Sequence, residues 1–245
     1  FLKPKAEDSV YCEFEVNALG VLWDLLLPRP YRSGGPPVDA WNVDATRIGI
    51  DVKGSLNEPG DTDLGWTLEM AIPLKPLRQL SGKAKRIDEG DVWRLNFSRV
   101  QWKHELVEGE YRRMKDSETG RYLREDNWVW SAQYAIDMHR PEHWGYLQFT
   151  YDLAGEETMR VEDSWWREKQ VLFGLHRELI RFEKRNGELP ENWKELGRAL
   201  KPFESDWKKV DFEPGLGSYE LRWRDPKKGV LILGSDERLR LLPLE

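Results

Sequence analysis

Five stretches in the first 150 residues alternate apolar and polar side chains with a period of two, and this alternation restricts the fold more than any other feature of the chain. In YCEFEVN, Cys12, Phe14 and Val16 take one side, and Tyr11, Glu13, Glu15 and Asn17 the other. RIGIDVK sets Ile48, Ile50 and Val52 against Arg47, Gly49, Asp51 and Lys53, and GWTLEMAI sets Trp66, Leu68, Met70 and Ile72 against Thr67 and Glu69. In VWRLNFSRVQW, Trp93, Leu95 and Phe97 oppose Arg94, Asn96 and Ser98, while GYLQF places Leu147 and Phe149 inside. Clusters of Gly, Pro, Asn and Asp separate these runs, and FLKPKAEDSVYCEFEV reads as strand, turn, strand. PLKPLRQL starts a short helix, because Pro73 suits a helix's first turn.

Strands with one apolar and one polar face pack as a sandwich with the apolar faces meeting inside. The expected fold class is therefore mainly β, an antiparallel β-sandwich of the immunoglobulin or jelly-roll kind over residues 1–155. Its polar face is then a surface rich in side chains able to bind a ligand. The plainer account of that face is a lattice of cross-strand charge pairs.

The period changes after YDLAGEETM. From Val161 to Arg185, Trp165, Leu172, Leu175, Leu179 and Phe182 recur at helical spacing, and Asn186-Gly187 supplies a stop. A shorter helix is expected over Glu191 to Leu200. YELRWRD and GVLILGSDERLRLL, separated by Asp225-Pro226-Lys227-Lys228-Gly229, predict a hairpin or small meander. Residues 156–245 thus form a small α+β appendage, expected to pack on the sandwich or on a protein partner. Its order of elements is similar, as a fold-level analogy only, to the soluble part of a pseudopilin.

Composition removes several functions. The 245 residues carry a net charge of −6 with both signs interspersed, which gives no electrostatic footprint for nucleic acid. One cysteine, Cys12, excludes an internal disulfide or a thiolate metal cluster, and its place in a strand pattern reads as a small buried hydrophobe. No apolar run approaches the ~20 residues of a transmembrane helix. The chain opens on Phe1, so a signal peptide or earlier strands upstream are compatible with what is seen.

The residues that carry chemistry are aromatic first. Eight of the thirteen tryptophans precede residue 150, several at strand ends. Trp128 and Trp130, two apart, project to the same side of an extended chain, and Trp102 is in phase with Asn96 and Ser98 rather than with the apolar face. An indole face suits a ligand that is apolar on one side and hydroxylated at its rim, such as a pyranose. The alternative for each ring is that it covers an end of the sandwich. Glu13, Asn17, Asn96 and Arg99 have the donors and acceptors to fix sugar hydroxyls. Asp61 and Asp63 in GDTDLG begin a calcium loop, or simply a turn. Neither G-x-S-x-G, H-E-x-x-H, a Gly-rich phosphate loop nor C-x-x-C occurs, and His139 with Glu142 reads as a turn locked by Pro141 rather than as an acid and a base.

Four stretches, YCEFEVNALGVLWDLLLPRPYR, GSLNEPGDTDLGWTLEMAIPLKPL, VWRLNFSRVQW and DNWVWSAQYAIDMHRPEHWGYLQF, occur in an order that resembles the family 9 carbohydrate-binding modules of glycan-degrading bacteria. The resemblance covers residues 1–150. It implies a β-sandwich that holds sugars between tryptophans, often with structural calcium nearby, and it carries Trp128 and Trp130, then Asn96, Arg99 and Trp102, over as binding residues. Members of the family begin with further strands, which are missing ahead of FLKP or are supplied by residues outside this chain.

These readings combine into a non-catalytic carbohydrate-binding protein of bacterial polysaccharide utilisation. It is expected in the periplasm, at the cell surface or outside the cell, with mono- or oligosaccharide as partner and no cofactor beyond calcium. Two alternatives stand beside it: a glycosidase-like or sugar-modifying enzyme using polar-face carboxylates, and a protein–protein interaction module. A strongly raised carboxyl pKa in a cleft favours the first, and tryptophans buried against their own chain favour the second.

Overall fold

The alternating stretches fold as strands, and every pairing between described strands is antiparallel. In chain order they are β1 (Leu2–Lys3), β2 (Tyr11–Val16), β3 (Leu22–Leu27), β4 (Arg47–Lys53) and β5 (Gly65–Ala71), followed by helix α1 (Leu74–Leu80). Then come β6 (Val92–Leu95), β7 (Ser98–Gln101), β8 (His104–Val107), β9 (Glu110–Arg113), β10 (Asp126–Val129) and β11 (Gly145–Gln148). The computed structural model describes residues 1–5, 9–83, 85–160, 162–215 and 217–244, so the turn expected between β1 and β2 lies partly outside the described residues. By contacts the chain divides into two units, Phe1–Val161 and Glu162–Glu245.

The first unit is organised by a five-stranded sheet of order β11-β6-β1-β2-β3, with two-stranded ribbons β4-β5, β7-β10 and β8-β9. One face of the sheet carries Leu2, Cys12 and Trp93, which pack with Phe14, Leu26, Leu95, Leu147 and Phe149, as the alternation predicts. Leu77 and Leu80 of α1, with Trp41, Ile72 and Ile87, close this cluster, so a helix and loop residues cover the sheet there. Burial pushes the Cys12 thiol up to about 12, in keeping with a packing role.

The opposite face differs from the expected open polar surface. Tyr11, Leu25, Leu27 and Trp144 form a second buried cluster with Phe1, and Glu13 is buried alongside. The chain after β10 causes this by laying Trp144 against Tyr11, with ring centroids 5.2 Å apart. The indole Nε1 of Trp144 donates to the carbonyl of Met138 at 3.0 Å, which satisfies the polar edge of an otherwise buried ring.

Ribbon β4-β5 keeps its period, with Ile48 opposite Met70, Ile50 opposite Leu68 and Val52 opposite Trp66. Trp66 and Leu68 remain exposed. The expectation that this apolar face is buried is thus met only in part.

The second unit contains α2 (Trp166–Asn186) and a meander of β12 (Val210–Gly215), β13 (Ser218–Asp225), β14 (Gly229–Gly234) and β15 (Leu239–Leu242), in that order across the sheet. Leu172, Leu175 and Leu179 lie on one stripe of α2 and are fully buried against a cluster that includes Leu221, Trp223, Leu231 and Leu233. Each such side chain stabilises the unit by about 1.5–3 kcal/mol. Gly187 ends the helix with φ of 82°, its N–H donating to the carbonyl of Glu183 at 2.8 Å. The shorter helix is a 3-10 segment, Trp193–Phe203, interrupted by a left-handed Gly197. It starts from a capping box in which Asn192 accepts from Lys194 N, and Glu195 accepts from Asn192 N. No helix among the described residues is long and apolar enough to cross a membrane.

Candidate functional site

The stretch VWRLNFSRVQW does not form one strand. It breaks after Leu95 into β6, which belongs to the five-stranded sheet, and β7, which pairs with β10 alone. Asn96 and Phe97 sit at the break, and the phase inverts across it. Phe97, expected in the core, is 62 % exposed, and Asn96, expected on the surface, is 0 % exposed. A side-chain bond network holds this inversion: Asn96 Oδ1 accepts from Ser131 N at 2.9 Å, and Trp130 N donates to the carbonyl of Phe97 at 2.8 Å. The ladder between β7 and β10 thus runs two residues past β10 and is closed by an amide side chain.

On this ribbon Trp128 pairs with Arg99 and Asp126 with Gln101. Period two then puts Trp128, Trp130, Phe97, Arg99 and Gln101 on one side of the ribbon. Trp128 is 56 % exposed and Trp130 58 %. Phe97 meets the ring of Trp130 edge-on, with centroids 5.9 Å apart, and the Arg99 guanidinium lies 5.8 Å from the Trp128 centroid. Arg99 Nη2 donates to Gln101 Oε1 at 3.1 Å, which aligns the two polar side chains beside the rings.

Trp130 is seated by the absence of a side chain. A Cβ on Gly145, at the start of β11, would stand 2.6 Å from Trp130 Cη2 and closer still to Cζ3. Gly145 has no left-handed φ, so the glycine serves ring approach rather than a turn. The result is an exposed shelf of three rings with a guanidinium and an amide at one end. Phe97, Gln101 and Gly145 were not among the candidates read from the sequence; the one sequence sign of the inversion is Ser98-Arg99, two successive polar residues after which Val100 takes the opposite parity to Leu95 and Phe97.

The other candidates fall elsewhere. Trp102 has the parity of Ser98 and Val100, opposite the shelf, and the Arg113 guanidinium covers its ring at 3.4 Å from the centroid. Asn96 acts as the structural clasp just described, which corrects its assignment to ligand binding. Asn17 is likewise occupied, since its Oδ1 accepts from Leu19 N and Val21 N, each at 3.0 Å, and so forms the β2–β3 turn. Asp63 Oδ1 accepts from Ser55 N at 2.8 Å across the β4–β5 connection. Calcium takes 6–8 oxygen ligands, and among the described residues no group of three or more His, Cys, Asp or Glu is placed to hold a metal ion.

Glu13 belongs to a buried cluster. It is 6 % exposed, with Oε2 3.9 Å from His139 Nε2, and His139 Nδ1 shares a 2.8 Å hydrogen bond with the Tyr11 hydroxyl. Burial, with Glu15 nearby, pushes the Glu13 carboxyl up to about 8, and burial holds His139 below its ordinary value. Tyr31 packs edge-on against His139 at 4.5 Å. Glu142 is held by Arg32 at 2.9 Å within the 3-10 turn Pro141–His143, as the turn reading expects. A raised carboxyl is thus present, but deep burial separates it from the shelf chemistry.

No family profile, curated protein or solved structure matches this chain.

Proposed function

We propose that the chain binds carbohydrate without cleaving it, the apolar face of a pyranose stacking on Trp128 and Trp130 while Arg99 and Gln101 engage hydroxyls at the rim. The observation that carries this reading is two neighbouring indoles on one side of a ribbon, each more than half exposed, with a guanidinium beside them. Flat, rigid rings lose little entropy on contact and match the C–H face of a sugar. A hydroxylated ligand surrenders many hydrogen bonds to water, so a Kd in roughly the micromolar to millimolar range is expected. The resemblance of the first 150 residues to family 9 carbohydrate-binding modules supports the same reading, and with it a role in bacterial polysaccharide utilisation in the periplasm, at the cell surface or outside the cell.

Calorimetric titration with mono- and disaccharides and with xylan- and glucan-derived oligomers tests the proposal. Saturable heat that disappears in folded Trp128→Ala and Trp130→Ala proteins is the expected result. Absence of heat from every sugar overturns it and favours the interaction-module reading, for which the exposed Trp66 and Leu68 on β4-β5 are a second aromatic-aliphatic surface. The enzymatic reading rests on polar-face carboxylates, of which Glu13 is buried while Glu15 and Glu69 are exposed.

A further inference from the structure

The exposed rings offer a surface to sugars in general, and Arg99 beside them narrows the class. We infer that the shelf selects acidic sugars: the ring of a hexuronate stacks on Trp128 and its carboxylate takes the fork of the Arg99 guanidinium. This rests on the sugar reading of the shelf and names the ligand class within it.

Where a guanidinium covers an aromatic face in this chain, it comes close. Arg113 lies 3.4 Å from the centroid of the Trp102 ring, and Arg94 3.7 Å from that of Tyr146. Arg99 stands 5.8 Å from the Trp128 centroid, and Trp128 keeps 56 % of its surface exposed. At that distance the guanidinium leaves the ring open and places its donors beside it. A pyranose stacked on the ring carries its C6 substituent at its own margin, and in a hexuronate that substituent is a carboxylate.

The guanidinium is held in place without being neutralised. Gln101 Nε2 donates to the carbonyl of Trp102 at 3.3 Å, which turns Gln101 Oε1 toward Arg99 Nη2, its donor at 3.1 Å. A glutamate at this position would have the same reach and would cancel the charge; the amide orients the fork and leaves the charge whole. Among the described residues Arg99 has no carboxylate partner. Asp126 shares this side of the ribbon, paired with Gln101 one step along, and makes no ion pair with Arg99. One N–H of the fork is thus engaged by a neutral group, and the others remain for a ligand. A carboxylate accepts two parallel N–H groups at once, which a hydroxyl oxygen cannot match.

The test is an NMR titration of the full chain, read at the Trp128 and Trp130 indole signals. The probes are methyl hexuronides of the gluco, galacto and manno series and their methyl esters, which keep the shape and lose the charge. At least one uronide is expected to bind roughly fivefold or more tightly than its ester. Arg99→Gln and Gln101→Glu, both at exposed positions, should bring that ratio toward one, the first by removing the charge and the second by cancelling it in place. Taking the ratio within each protein separates recognition of charge from a general loss of contact. A ratio near one in the wild type, or a ratio that persists in either variant, would overturn the inference, while esters that still bind leave the sugar reading standing. Tighter binding of hexose 6-sulfates than of uronides would overturn it in favour of sulfated sugars. No saturable shift from any probe, charged or neutral, would overturn both.

Discussion

Replacing Gly145 by alanine moves one aromatic ring without removing it. The new methyl would begin 2.6 Å from Trp130 Cη2 and closer still to Cζ3, against an ordinary carbon–carbon separation of about 3.5–4.0 Å, so the ring must retreat by roughly 1.5 Å. Because Trp130 is 58 % exposed it has room to swing outward, and the backbone at Gly145 is in a region alanine adopts freely. Stability should therefore fall by only about 1 kcal/mol, the low end of overpacking costs. The shelf suffers more. An indole tilted out of line with Trp128 loses its share of stacking, about 0.5–1.5 kcal/mol, or roughly a two- to tenfold weaker sugar affinity. Calorimetry on Gly145→Ala gives the affinity, urea unfolding gives the stability, and tryptophan emission reports the changed surroundings of the ring. An unchanged affinity together with unchanged emission would refute the claim that the bare backbone of β11 sets the ring's position.

Two other outcomes follow from the buried polar groups. The Glu13 carboxyl, raised by burial from 4.5 to about 8, holds its proton more tightly in the folded state, so its contribution is fully present below pH 4.5 and is lost as pH rises through 8. His139, lowered by burial, acts in the opposite sense, its contribution falling away in acid. The difference between wild type and Glu13→Gln therefore isolates the first effect: the variant should gain relative stability as pH rises from 4.5 to 8, measured by urea unfolding, and a flat difference would argue against a protonated Glu13. Asn96→Ala should leave the Ser131 N–H without its acceptor and cost about 1–3 kcal/mol by the same assay. Its sugar affinity, measured where the protein is still folded, should fall through disorder of the ribbon rather than through a lost contact, so the loss should shrink on cooling or with a stabilising osmolyte.

What the sequence discloses here depends on whether a signal is local. Period two places Trp128 and Trp130 on the same side from two adjacent extended peptide units alone, and the structure leaves both rings more than half exposed. The stripe of Leu172, Leu175 and Leu179, and the stop at Gly187, were readable for the same reason. Phe97 and Asn96 were misplaced because alternation was carried through a point where the chain leaves one sheet for another, and a single unpaired step reverses every side chain beyond it. Asn17 and Asn96 illustrate a second limit: an asparagine that closes a turn and one that could hold a ligand have the same side chain, and only the neighbouring N–H groups decide between them. Gly145 gave no sequence signal at all, since it matters through the ring of Trp130, which only the fold brings against it.

The way the β7-β10 ribbon is fastened bears on how a protein of this kind can change over generations. Its root is secured by Asn96, Phe97, Trp130 and Ser131, whereas its far end opens into residues 102–125, which depart after Gln101 and return at Asp126. That excursion is tied largely to itself, through the β8-β9 pairing and bonds such as Met114 N to the Lys103 carbonyl and Leu123 N to the Met114 carbonyl, and should therefore tolerate exchange. Its length and composition can drift while Arg99 still meets Trp128, so new preferences among ligands can be acquired by replacing this segment while the rings keep their places.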